Sequence, residues 1–145
     1  MPAQISIDVK GMKELQRKNE QMVRDLRGEP MLNAMRKCTL MVQRDAKINA
    51  PVKTGRLRAS ITPEVRVEGK ADVIGVVGSN VDYALVQEIG SGKYAEAPFF
   101  VVVNEAGISA DRDIQGKHYL GKAYETNAVR IQEIIQAAVK GITDK

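Results

Sequence analysis

The chain has 145 residues, 43% hydrophobic and 28% charged, which excludes wholesale disorder and allows one sizeable core in a single domain spanning residues 1–145. One cysteine, Cys38, excludes an internal disulfide and a four-cysteine zinc site, and its helical setting reads as a small buried hydrophobe. The net charge of +4 is uneven, with 13 Lys/Arg against 6 Asp/Glu in residues 1–58 and 9 against 12 thereafter. Such a division suits a nucleic-acid surface or head-to-tail association, beside the plain alternative of solvated faces. Residues 1–10 have polar residues throughout, unlike a signal peptide, and the longest apolar run, residues 99–103, is far too short to span a bilayer. The expectation is a protein made and kept on the cytoplasmic side of any membrane.

Residues 4–9 alternate, with Ile5, Ile7 and Val9 on one face, and predict a short strand. After Gly11, an apolar stripe of Met12, Leu15, Met22, Val23 and Leu26, interrupted by Asn19, predicts an amphipathic helix over 12–26. Gly28-Glu29-Pro30 breaks it. A second helix, about 30–49, starts on a proline that suits a first turn and puts Met31, Met35, Cys38, Val42 and Ala46 on one side.

Residues 50–61 (APVKTGRLRASI) organise the chain. Pro51 has no amide hydrogen and pushes Ala50 out of helical space, so the helix stops there. Gly55 permits a positive φ, and the Thr54 hydroxyl can accept an amide from Arg56 or Leu57 in the turn that follows. Leu57, the one large apolar residue inside the stretch, is expected to pin it to the core. Lys53, Arg56 and Arg58 are left pointing outward.

From Ile61 the period changes. Residues 61–67 and 73–78 read as two strands around a polar turn at 69–72, hence a hairpin. Gly75 and Gly78 predict a bulge or close contact with another backbone. Residues 81–90 read as a short helical turn or extended segment closed by Gly90, and 90–93 as a flexible loop. Residues 99–103 (FFVVV) have the content of a strand, and 107–117 read as a surface loop. Tyr124, Ala128, Ile131, Ile135, Ala138 and Ile142 mark a last amphipathic helix over about 119–141, closed near Gly141, with His118 at its start. The order β-α-α-β-β-(α)-β-α predicts an α+β fold: a small mixed or antiparallel sheet packed by long N-terminal and C-terminal amphipathic helices.

Catalytic patterns fail. Gly90-Ser91-Gly92-Lys93 resembles the end of a phosphate-binding loop, but Gln87 stands where the first glycine belongs and Tyr94 where Ser/Thr belongs. Glu64 and Glu68-Gly69-Lys70 crowd the two carboxylates of a metal-dependent nuclease onto one hairpin strand. His118 is the only histidine, with no nucleophile motif around it, and Asp111 and Asp113 lack a calcium-loop pattern. No enzyme, cofactor, metal or small-molecule ligand is expected.

Residues 50–61 also resemble the APV-x-TG-x-LR-x-SI signature of tailed-phage neck proteins, the tail-completion or head–tail joining proteins of siphophages and related prophages. The family's second feature is a Tyr-Ala pair, then Glu-x-Gly, then Pro-Phe, matched here by Tyr83-Ala84, Glu88-Ile89-Gly90 and Pro98-Phe99. The likeness is strongest over residues 50–100. Ser91 replaces the usual threonine, and 104–117 is longer than the family's passage into the last helix, which leaves a helix start at 99–103 as the alternative to a strand.

The resemblance implies a virion protein assembled in the host cytoplasm. It would form a ring, six-fold in the virion, at the head-proximal end of the tail, joining tail to DNA-filled head. Pro51, Thr54, Gly55, Leu57, Arg58, Tyr83, Ala84, Glu88, Gly90, Pro98 and Phe99 would be its motif positions. Arg44, Lys47, Lys53, Arg56 and Arg58 would face passing DNA or a neighbouring subunit. Tyr83, Glu88 and residues 90–97 would contact other copies or other neck and tail proteins. The competing readings are a stand-alone basic nucleic-acid-binding protein, suggested by the pI of about 9.2, and a nuclease.

Overall fold

A computed structural model describes residues 11–70, 72–90 and 114–144. The strands expected at 4–9 and 99–103, and the motif residues Pro98 and Phe99, lie outside the described residues. Within them run α1 (Met12–Leu26), α2 (Glu29–Asn49), α3 (Arg56–Ser60), β1 (Thr62–Glu68), β2 (Asp72–Gly78), α4 (Ala84–Ile89) and α5 (Tyr119–Thr143). This is the expected α+β architecture, rich in helix with a two-stranded antiparallel sheet. No helix among the described residues is long and apolar enough to cross a membrane.

α2 is the spine. Pro30 sits in its first turn, and Met31, Cys38, Val42 and Ala46 are buried as their spacing predicts. The Ala50 amide still donates to the Ala46 carbonyl at 2.8 Å, but Ala50 itself is extended (φ −63°, ψ 134°), as the following Pro51 requires. Ala46 on α2 and Ala123 on α5 are both fully buried, and their small side chains let the two helices lie close in one core with Leu57, Ile61, Val81 and Tyr119. Burial pushes the Cys38 thiol above its ordinary pKa, which keeps it an inert packing group.

One polar link crosses the α2–α5 seam. Buried Asn127 donates its side-chain amide to Asp45 at 2.6 Å and to the Ala123 carbonyl at 2.8 Å. That bond, with a second from Arg44, holds the Asp45 carboxyl below its ordinary pKa.

Tyr119, 1% exposed, donates its hydroxyl to the Ala84 carbonyl at 3.3 Å. Burial first, and the Glu88 carboxylate second, push its pKa up to about 12. The unfolded chain releases this proton near pH 10 while the fold still holds it. Stability is therefore complete below ~10 and drains away as pH rises toward the folded value. Alkaline unfolding followed by circular dichroism should show this loss, and Tyr119→Phe should remove its tyrosinate-linked part at a cost near neutral pH of about 1 kcal/mol.

The hairpin pairs Thr62 with Gly78 through Glu68 with Asp72 without interruption, so Gly75 and Gly78 mark no bulge. Gly75 serves packing instead. A Cβ there would lie 2.7 Å from Thr39 Cγ2 and 3.1 Å from Met35 Cε, so the glycine lets β2 settle onto α2 side chains rather than onto another backbone. Around Gly78 a Cβ would meet nothing within 4 Å.

α1 has its predicted bounds, with none of its residues buried and Val23 and Leu26 of its stripe partly covered. Two expectations about α5 are corrected. The buried seam of α5 starts at Tyr119, Ala123 and Asn127, whereas Tyr124 is more than half exposed. The two tracks merge at Ile131, because a 3.6-residue turn lets neighbouring stripes share members. α5 also runs past Gly141 to Thr143.

Candidate functional site

The 50–61 connector is held by short-range bonds that its sequence supplies. The Thr54 hydroxyl accepts the Arg56 amide at 3.4 Å, and Gly55 adopts φ 82°, a left-handed conformation costly to any side chain. A Cβ at Gly55 would meet open space, so the backbone angle alone demands glycine there. The chain then closes one helical turn, α3, with the Ala59 amide on the Gly55 carbonyl at 2.9 Å. Leu57 is buried in the main core. Gln43 on α2 donates to the Ile61 carbonyl at 2.9 Å, and the Ser60 hydroxyl bonds Ser79, which in turn accepts the Val81 amide. The C-terminal end of the connector is thus fixed both to α2 and to the approach to α4.

This fixing leaves Lys53, Arg56 and Arg58 exposed, as expected. Among the described residues none of the three, nor half-buried Lys47, forms an ion pair. Arg44 differs: exposed as well, it pairs at 3.0 Å with Asp45, which Asn127 bonds across the α2–α5 seam. An open cavity of about 760 Å³ lies between residues 51–57 and α4, and Tyr83 and Gln87 complete its wall. Two sequence motifs separated by more than twenty residues therefore meet at one place, with an apolar lining and a cationic rim. Ala84 lies behind it in the core.

Glu88 is placed otherwise than a contact residue would be. Its two carboxylate oxygens accept the Leu120 and Gly121 amides at 2.8 and 2.9 Å. They cap the first turn of α5, whose own start at His118 (φ 50°, ψ 41°) supplies no side-chain cap. The sequence does hold a signal for this: the first turn of α5 has no acidic residue, so its free amides need an acceptor from elsewhere. The 114–117 segment, expected to be a surface loop, is likewise tied down. Lys117 and His118 donate their amides to the Gln87 and Glu88 carbonyls at 2.7 and 3.0 Å, and Ile114 packs on Val86 and Ile89. Gly90 ends α4 at φ 86°, with its amide on the Val86 carbonyl. Glu88→Gln, which keeps the shape but loses the charge and one acceptor, should destabilise by about 1–2 kcal/mol in urea unfolding. Unchanged stability would show that the cap contributes nothing.

Fold and site together define a small, helix-rich α+β protein whose most elaborated surface is a basic connector backed by α4. The chain belongs to the HK97-gp10-like family, described as "Bacteriophage HK97-gp10, putative tail-component", whose model matches residues 12–90, more than half of the sequence. The match runs from α1 through α4 and takes in both the connector and the segment from Tyr83 to Gly90. Comparison with curated proteins and with solved structures gave no match. The protein is a phage tail-related structural component, and its place is in the virion.

Proposed function

We propose that the chain is a non-catalytic ring subunit of the phage neck, seated at the head-proximal end of the tail, where it joins the tail to the DNA-filled head. The observation that carries this reading is the meeting of the connector and the α4 motif around one cavity, rimmed by cations that have no partner among the described residues. A surface built this rigidly, with its charge unspent, suits contact with another molecule. The chain's basic first half and acidic second half further suit a heterologous interface repeated around a ring, in which each copy offers one face and receives the other.

The test is reversal of charge at Arg56 and Arg58, both exposed and outside the core. Arg56→Glu with Arg58→Glu should leave the circular-dichroism spectrum and melting unchanged, yet leave heads and tails unjoined in infected or induced cells. Normal yields of tailed, infectious particles would refute a role for this face in assembly. The same variant separates the nucleic-acid reading. A stand-alone binder would show steeply salt-dependent DNA affinity as the isolated parent protein and lose it in the variant, with assembly unaffected.

A further inference from the structure

α1 is an amphipathic helix of 15 residues with no buried side chain. Met12, Leu15 and Met22 are each 41–55% exposed, and partial cover begins only at Val23. The positions 12, 15, 19, 22 and 26 step by three and four, the spacing of a seam made to lie on another surface, with Asn19 as its one polar member. A helix this short is marginal in water when its apolar face stays wet. Its last turn, at Val23, Asp25 and Leu26, is partly covered where α1 meets α2 and α5, and residues 12–22 stay exposed. The elbow to α2 is locked by the Gly28 amide on the Asp25 carbonyl at 3.0 Å, and even a Cβ at Gly28 would lie 3.1 Å from that oxygen.

The same molecule carries an apolar groove of matching length. Two cavities of about 370 and 430 Å³ share Met35 and run along α2 between β2 and α5, lined among others by Cys38, Ile74, Tyr124, Ile131 and Ile135. The α2 residues on its floor, from Met31 to Val42, span ~16 Å, and the exposed α1 stripe from Met12 to Met22 spans ~15 Å at the helical rise. Asp72 stands at the groove's lower end and forms no ion pair among the described residues, while α1 carries Lys13 and Arg17 beside its stripe. Of the chain's own α1, only Leu26 reaches this groove.

The geometry points to α1 of one copy docking into the α2–β2–α5 groove of the next. Helix and groove are different surfaces of one chain, so the contact is head-to-tail and every copy both gives and receives. Its polarity is set by Lys13 and Arg17 of α1 meeting Asp72 at the end of the groove. This assignment rests on the ring reading above and names the contact that would close the ring.

The test uses the full chain with the photo-crosslinking residue p-benzoylphenylalanine in place of Leu15, prepared as a mixture of isotopically light and heavy protein. Irradiation should give mixed light–heavy crosslinks to peptides containing Ile74 or the segment from Tyr124 to Ile135. In light scattering, Leu15→Asp with Met22→Asp should weaken self-association by ~10-fold or more, with helicity retained because both sites are solvent-facing. Crosslinks confined to one chain would mean that α1 fills its own groove, and crosslinks to a second α1 would mean a helix pair; either overturns the proposal. Undiminished association of the double variant overturns it while leaving the ring standing. A parent protein that stays monomeric at every concentration and salt overturns this contact and leaves the ring to form only in the virion.

Discussion

Gly116→Ala is expected to be more damaging than the same change at Gly11, Gly28, Gly55, Gly69, Gly75, Gly78, Gly121 or Gly141. A Cβ at position 116 would lie 2.6 Å from the Glu88 carbonyl oxygen, 2.7 Å from the Ile89 carbonyl carbon and 2.8 Å from the Gly90 amide nitrogen. All three are backbone atoms of the α4 terminus, so no rotamer change relieves the clash, and the strand of chain entering α5 must back away. That movement opens the Lys117–Gln87 and His118–Glu88 backbone bonds and withdraws the α5 amides from the Glu88 carboxylate. Overpacking at about 1–3 kcal/mol, with two backbone bonds at about 1 kcal/mol each, gives a loss of ~3–5 kcal/mol. For a chain of this size the melting temperature should fall by ~10 °C in calorimetry. Gly141→Ala is the control: it adds the same methyl inside α5 with nothing within 4 Å and should be neutral or slightly stabilising. Equal melting temperatures for the two variants would mean that the α4–α5 junction is not packed as described.

Leu57→Ala should rank next, with a loss of about 2–5 kcal/mol in denaturant unfolding, because it removes a buried side chain that neighbouring residues cannot replace. Leu57 is 3% exposed and, with fully buried Ile61 at the connector's end, fixes the stretch to the core. The loss therefore reaches the site: the turn that presents Arg56 and Arg58 would keep its hydrogen bonds but lose the apolar anchor beneath it. Assembly should fail together with stability, whereas the Arg56/Arg58 charge reversal should fail assembly alone. Val52→Ala, in the same stretch but more than half exposed, should change stability by less than ~0.5 kcal/mol. If Leu57→Ala proved as mild as Val52→Ala, the connector would not be anchored through its leucine.

Much of this was legible from local chemistry. Pro30 and Pro51 bracket α2 because each acts on its own backbone and that of its neighbour, and Gly55 declares its positive φ because no other residue adopts it cheaply. The hairpin follows from two apolar runs and a polar turn between them. The missed features depend on partners distant in sequence. Glu88 looks like any exposed carboxylate until α5, more than thirty residues on, brings two amides to it. Residues 114–117 look like a loop because their polar composition carries no trace of the α4 backbone that holds them. Periodicity likewise shows that α1 has an apolar face without showing whether anything covers it. For α5, a stripe at three-and-four spacing admits two adjacent tracks, and Tyr119 decides between them only once Ala84 is beside it. The site divides in the same way. The cations and turn of the connector are written in residues 50–61, while their meeting with Tyr83 and Gln87 is a product of the fold.

The central claim is position: a structural subunit at the junction of tail and head. It is tested most directly by electron microscopy of assembled particles carrying an epitope at the C-terminus of this chain, labelled with gold-conjugated antibody. The account predicts gold at the head-proximal end of the tail, on free tails and whole particles alike. Label spread along the tail tube, confined to the distal tip, or absent from purified particles would contradict it.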